Sequence, residues 1–166
     1  MIRTLAAADA EGYLELRRQA LLDAPGAFAA SPEDDLVATV EAFRQQLGRE
    51  PDSIVIGAFR ERLVGMVGLY RDRHRKSEHT LHLWGMYVDP EHRHSGIGAQ
   101  LLAAALAHAR SVPGVDWVRL SVSAAAPDAQ RLYERAGFQV WGSEPDALRV
   151  GGEALVEHHM ALRLRG

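Results

Sequence analysis

Residues 86–98 decide how this chain is read: Met86-Tyr87-Val88-Asp89-Pro90-Glu91-His92-Arg93-His94-Ser95-Gly96-Ile97-Gly98. A long strand is predicted from His79 to Val88. Asp89-Pro90 ends it, because the residue before a proline is pushed toward extended conformations and the proline cannot extend a central ladder. A helix is predicted from Gly96 to Arg110, with Ile97, Leu101, Ala105 and Ala109 on one stripe. Glycines at a helix entrance let a ligand approach the backbone with no Cβ in the way. The first amides of the helix have no internal acceptor and sit at its positive end, so a phosphate is their natural partner. Arg93 places a guanidinium beside them. The spacing Arg-x-x-Gly-x-Gly matches neither the dinucleotide Gly-x-Gly-x-x-Gly nor a loop ending in Gly-Lys-Ser/Thr. Taken alone, the simpler reading is a glycine-rich loop that serves only close helix–strand packing.

Toward the N-terminus, Ile2 to Leu5 predicts a short edge strand. Ala7 to about Leu22 predicts a helix, with Tyr13, Leu14, Arg17 and Leu21 three or four apart. Ala24 to Phe28 breaks it through Pro25 and Gly26. Ser31-Pro32-Glu33-Asp34 reads as a second helix start, with Ser31 as N-cap, proline in the first turn and acids at the positive end. That helix would carry Leu36, Val40, Phe43 and Leu47 and stop at Gly48. Ser53 to Phe59 and Leu63 to Tyr70 read as strands joined by a tight turn, and Arg71 to Glu78 as a charged loop.

Toward the C-terminus, Pro113-Gly114 closes the long helix and Trp117 to Val122 alternates as a strand. Pro127 to Ala136 predicts a helix ended by Gly137 in a left-handed cap. Phe138 to Gly142 and Ala154 to Leu164 read as the last strands, with a hairpin turn at Gly151-Gly152. The order is β-α-α-β-β-β-α-β-α-β-β, an α/β (α+β) arrangement with a mixed sheet. Three consecutive strands imply antiparallel hairpins, and the later β-α-β units imply a parallel step. No repeat and no shift in composition divides residues 1–166, so one domain is expected.

Composition narrows the classes of function. The chain has 166 residues, no cysteine and a formal net charge of −3, which removes disulfides, thiolate metal sites and a cysteine nucleophile. A groove tracking nucleic-acid phosphates usually needs a basic excess, and none is present, so no nucleic-acid partner is expected. No run of about 18 apolar residues suggests a membrane span. Met1 to Leu5 lacks the basic and apolar pattern of a signal peptide, so a cytoplasmic protein is expected. Glu91, His92 and His94 lack the spacing and the further ligand of a metal site, so no metal is expected. The basic run Arg71 to Lys76 and the pair His158-His159 read as solvated or structural.

A second segment changes the reading of the loop. Ala129-Gln130-Arg131-Leu132-Tyr133-Glu134-Arg135-Ala136-Gly137-Phe138 lies about thirty residues downstream, on the last helix. Together with Met86 to Pro90 and the Arg93–Gly98 loop, it resembles the pattern shared by GNAT acyltransferases. The resemblance is strong over about residues 80 to 142, and the preceding β-α-α-β-β order suits that family too. It implies a GNAT-like fold with a splayed central strand pair and an acetyl-CoA-dependent N-acetyltransferase. Main-chain groups of Met86 and Val88 would pair with the pantetheine arm. Amides of His94, Ser95, Gly96, Ile97 and Gly98, with Arg93 beside them, would bind the pyrophosphate.

The resemblance also implies catalytic roles. Tyr133 matches the tyrosine thought to protonate the departing CoA thiolate, and a phenol of pKa ~10 keeps its proton at neutral pH. The plain alternative is a packing residue on an amphipathic helix. In several members a Glu or His six residues before the strand-ending valine serves as base or holds the water that does, and here that residue is His82. Strand alternation would put His82, Trp84, Met86 and Val88 on one face. The plain alternative for His82 is a strand histidine bonded for structure.

Ala126 departs from the family, where asparagine is common. That departure keeps open a catalytically silent acyl-CoA-binding module, and water in place of an amine would make a thioester hydrolase. The acceptor is expected to be a small-molecule or peptide amine, facing Phe28, Glu33, Asp34 and Asp35 with Glu144 opposite. A homodimer through the last strands is compatible with such a fold.

Overall fold

The computed structural model describes residues 1–165. Ser53–Phe59 (β2) and Leu63–Arg71 (β3) are buried almost throughout, as expected of strands covered on both faces. They are the second and third strands of a seven-stranded sheet. Its other members are Ile2–Thr4 (β1), Thr80–Val88 (β4), Trp117–Ser123 (β5), Gln139–Val150 (β6) and Glu153–Arg163 (β7), in the order β1-β2-β3-β4-β5-β7-β6. Among the described residues four α-helices complete the fold: Ala10–Asp23 (α1), Val40–Leu47 (α2), Ile97–Ser111 (α3) and Pro127–Arg135 (α4). Among the described residues no helix is long and apolar enough to cross a membrane.

Two apolar cores sandwich the sheet. On one face Ile54, Ile56, Leu81, Leu83, Val118 and Leu120 pack with Ile97, Leu101 and Ala105 of α3 and Tyr133 of α4. On the other, Val55, Met66 and Tyr87 pack with Tyr13 and Leu16 of α1 and Phe43 of α2. Tyr13 and Phe43 stack at 4.3 Å between ring centroids.

Every neighbouring pair of strands runs antiparallel except β4–β5, which is parallel and connected through α3. That pair is joined at Thr80–Trp117, Leu81–Val118 and His82–Arg119. Beyond His82 and Arg119 the two strands part, and the expected splay is present.

Three expectations are corrected. First, β4 does not keep one face along its length. Trp84 pairs with Gly68 but Tyr87 pairs with Met66, so Gly85 and Met86 stand opposite Val67 alone. Gly85 takes φ 64°, the left-handed conformation that a glycine adopts in a bulge of this type. The bulge reverses the alternation. His82 and Trp84 stay on the α1 side, whereas Met86 and Val88 turn to the α3 side and Tyr87 takes their place.

Second, α2 starts at Val40, with the Thr39 hydroxyl accepting the Ala42 amide at 3.1 Å, and not at Ser31. The Asp34 carboxylate closes a turn on Ser31 (2.7 Å to its amide) and Asp35 is drawn to Arg17 (2.8 Å). Leu36 is therefore left 90% exposed. Third, β6 continues past Gly142 to Val150, because register shifts around Trp141 and across Pro145–Ala147 absorb what looked like a break. Bulged edge strands are where a proline is tolerated. Gly151 and Gly152, at φ 58° and 81°, form the two-residue turn to β7.

Candidate active site

The loop between β4 and α3 is built in steps from Asp89. Asp89 is buried, accepts the Glu91 amide at 3.0 Å and pairs with Arg62 at 2.5 Å. Burial would raise its carboxyl pKa, but Arg62 and the amide outweigh this and hold it below the usual range. Farther along, His94 takes φ 59° and Gly96 φ 84°, with Ser95 between them on the ordinary side. Such alternation of hand turns successive amides into one concavity, a nest for an anion. The first ladder bond of α3 runs from the Gln100 amide to the Gly96 carbonyl at 3.0 Å. Amides 97–99 therefore have no helical acceptor. A Cβ built on Gly96 would meet nothing within 4 Å, so the space above it is open. Ser95 hydroxyl donates to the His92 carbonyl at 2.5 Å and fixes the turn.

Arg93 is placed differently from a free phosphate ligand. Its Nε donates to the Val88 carbonyl and its Nη2 to Asp23, both at 2.9 Å, and its guanidinium lies 5.4 Å from the Tyr87 ring centre. The Tyr87 hydroxyl donates to the same Asp23 oxygen at 2.9 Å. Asp23, at the end of α1, thus ties the loop to the other side of the sheet. The Val88 carbonyl is thus already engaged as an acceptor.

Met86, Val88, Ile97 and Tyr133 all belong to the apolar core on the α3 side, so the structure puts these expected site residues on one face of the sheet. Gly98 abuts α4, where an added Cβ would come within 3.4 Å of Leu132. Tyr133 is 5% exposed, packs edge-on against Phe138 at 5.9 Å, and burial pushes its hydroxyl pKa up. Ala126 occupies the N-cap position of α4 and offers no side-chain cap.

His82 lies on the opposite face, at the point where β4 and β5 part. Its Nε2 is 3.0 Å from Asp72, and its ring stacks on Tyr70 at 4.8 Å. It lines a cleft of about 620 Å³ whose walls come from α1, the segment after it, β3, β4, β5, β6 and β7. With a neutral ring and a carboxylate at this distance, Nε2 would carry the hydrogen that Asp72 accepts and Nδ1 would keep its lone pair.

Several cleft residues escaped the sequence reading. Arg17 is 7% exposed, paired with Asp35 at 2.8 and 2.9 Å, and lies 5.5 Å from the Trp84 ring centre. Trp84 covers Gly68, where an added Cβ would fall 2.2 Å from the indole. Ser121, Trp141 and His159 form the far wall. Asp35 and Glu144, expected to face the acceptor, instead hold Arg17 and His159 (both 2.9 Å). The alternation of β5, with Arg119 and Ser121 exposed between Val118, Leu120 and Val122, was the available signal. Among the described residues no cluster of three or more His, Cys, Asp or Glu is arranged to hold a metal.

Comparison with known proteins fits this geometry. The acetyltransferase (GNAT) family matches residues 8–138. A mycothiol acetyltransferase from Thermobispora bispora is 52% identical over 54 residues, covering 32% of this chain and 18% of that protein. One from Nocardiopsis dassonvillei is 44% identical over 57 residues, covering 34% and 17%. The chain therefore spans less than a fifth of the length of the curated relatives it matches. Among solved structures, a GNAT-family acetyltransferase from Streptococcus pneumoniae superposes with TM-score 0.86 at 20% identity, covering 98% of both chains. A phosphinothricin acetyltransferase from Sinorhizobium meliloti, solved with acetyl-CoA, superposes with TM-score 0.85 at 20% identity, covering 98% of this chain and 87% of that one. A ribosomal-protein-alanine N-acetyltransferase from Brucella melitensis superposes with TM-score 0.83 at 24% identity, covering 98% and 99%.

Proposed function

Because the chain belongs to the acetyltransferase (GNAT) family, we propose that it transfers an acetyl group from acetyl-CoA to a primary amine by direct attack. The observation that carries this reading is the gap between β4 and β5 beyond His82 and Arg119. It opens beside the amide nest of residues 94–98 on one side and the 620 Å³ cleft on the other. Two unpaired strand edges offer main-chain donors and acceptors to a slender polar arm, in the manner of an added strand.

In this reading the amides of His94 to Gly98 hold the pyrophosphate. Arg93 acts by positioning, since it pins the loop to Asp23. Met86 and Val88 present their main chain to the pantetheine arm. Acetyl-CoA supplies the activated thioester. A main-chain amide near Met86 to Val88 polarises its carbonyl, where fixed donors are worth most in a dry site. His82, oriented by Asp72, takes a proton from the incoming ammonium at Nδ1. Tyr133, kept protonated by burial, gives its proton to sulfur.

The acceptor is a small-molecule or peptide amine entering the cleft lined by Phe28, Trp84 and Trp141. Calorimetric titration with acetyl-CoA tests the reading. Saturable micromolar binding is expected in the wild type, with weaker binding in Gly96→Pro and Arg93→Ala. Absence of binding at high protein concentration would overturn it. Amine-dependent release of CoA then separates transfer from hydrolysis.

A further inference from the structure

Across the cleft from His82, three side chains from three strands form a hydrogen-bonded chain that the reading above leaves without a task. Ser121 on β5 pairs in register with His159 on β7. The Ser121 Oγ lies 2.7 Å from His159 Nδ1, and His159 Nε2 lies 2.9 Å from Glu144 Oε2 on β6. The Trp141 indole stacks on the imidazole at 5.4 Å and fixes its plane. An ionised Glu144 accepts the Nε2 hydrogen, so Nδ1 carries the lone pair and the Ser121 hydroxyl donates to it. A nucleophile-side hydroxyl, a base and a carboxylate that orients the base are the ordinary parts of a proton-transfer chain.

Position fits the task. Ser121 lies two residues beyond the last β4–β5 pair, at Arg119, so it borders the gap. It shares the cleft with His82, Arg119 and Glu157. The far end of the chain is open to water, since the Glu144 side chain is 53% exposed against 26% for His159.

We propose that Ser121, His159 and Glu144 form a second proton path, which removes the N–H proton of the amine as its bond to the acetyl carbon forms. This rests on the acetyl-transfer reading. Between ammonium and amide the acceptor nitrogen sheds two protons. One is balanced by the proton Tyr133 gives to sulfur, and the other leaves to solvent. His82 takes the first, when ammonium becomes amine. Ser121 takes the second while its own hydroxyl proton passes to His159 Nδ1, and exchange with water restores both imidazoles and the Tyr133 phenol. Ser121 is a relay here and not an acyl carrier. It sits inside a regular paired strand, without the sharp strained turn that presents a serine nucleophile.

Two nucleophiles separate the paths. Benzylamine is protonated near neutral pH and needs both; hydroxylamine is largely neutral there and bypasses the first. With benzylamine, His82→Gln, Ser121→Ala and His159→Gln are each expected to lose about tenfold to a hundredfold in CoA release. With hydroxylamine, followed as acetohydroxamate, His82→Gln recovers while Ser121→Ala and His159→Gln stay impaired. Full activity of Ser121→Ala and His159→Gln with both nucleophiles would overturn the path and leave the acetyl-transfer reading standing. Acetyl-Ser121 detected by mass spectrometry would overturn the relay in favour of a covalent route. No enzymatic acceleration with either nucleophile would overturn both readings.

A measurement independent of turnover uses nitrogen-15 spectra of the histidines. His159 is expected as the Nε2–H tautomer, with an Nδ1 signal that moves in Ser121→Ala. An Nδ1–H tautomer would refute the chain.

Discussion

The loop before α3 and the cleft behind β4 flank one strand, yet they are built in opposite ways. The loop is contiguous, from Asp89 to Gly98, and its apparatus is main chain: two positive-φ residues, free helix amides and an open face. The cleft draws side chains from Arg17 to His159, across seven segments of the fold. A site made of backbone depends on conformation, and most of its side chains are replaceable. A site made of side chains depends on packing that fixes rotamers far apart in sequence.

That contrast can be broken by substitution. The largest effect is expected from Asp35→Ala on the cleft side, which strands the buried Arg17 guanidinium. Loss of one partner from a buried ion pair costs about 3–5 kcal/mol, read by denaturant unfolding. Wild-type stability would show that the pair does not hold the cleft wall. Next comes Gly96→Val on the loop side, where a β-branched residue is forced to φ 84°. Strain of about 1–3 kcal/mol should weaken acetyl-CoA binding by roughly tenfold to a hundredfold and leave the His159 tautomer unchanged. Unaltered affinity would mean that the nest is not where the phosphates bind.

Tyr133→Phe keeps the packing against Phe138 and removes only the hydroxyl. Turnover should fall about tenfold or more, with acetyl-CoA affinity nearly unchanged. Wild-type turnover would remove Tyr133 from the mechanism.

The smallest expected effect is on the acid limb of stability. Asp35 and Asp89 are both held below the usual carboxylate range: burial opposes this in each, and Arg17 and Arg62 respectively outweigh it. Below about pH 4, near the unfolded aspartate value, the unfolded chain binds protons first. Both contributions are therefore full above that pH and are lost as pH falls through the lower folded values. Asp89→Asn should make the acid limb shallower, and an unchanged limb would show that Asp89 gains nothing from Arg62.

The same contrast explains what the sequence disclosed. Glycine and proline spacing between Val88 and Gly98 encodes a local backbone path, so the loop and α3 were legible. The splay followed only from the family resemblance. The second helix was misplaced because Ser31 and Asp34 have the composition of a cap, while Asp35 is claimed by Arg17 in tertiary structure. The face of Met86 was misread because one glycine, Gly85, shifts a two-residue period by half a step. A glycine inside a strand pattern was the warning that a bulge was present. His159 was set aside as structural because nothing in its own neighbourhood names Ser121 or Glu144 as partners. Strand pairing alone brings them together.

Three parallel rungs join β4 to β5 before the strands part. Mechanically, the sheet is two plates, β1–β4 and β5–β7 with β6, meeting along a short hinge. A guest lying in the opening and bonding to both edges would act as a keystone, turning the hinge into a stiff joint. At a hundred times its dissociation constant such a guest adds about 2.7 kcal/mol to folding stability. Slower amide exchange should then concentrate along Trp84–Val88 and Leu120–Ser123, the two lips of the opening.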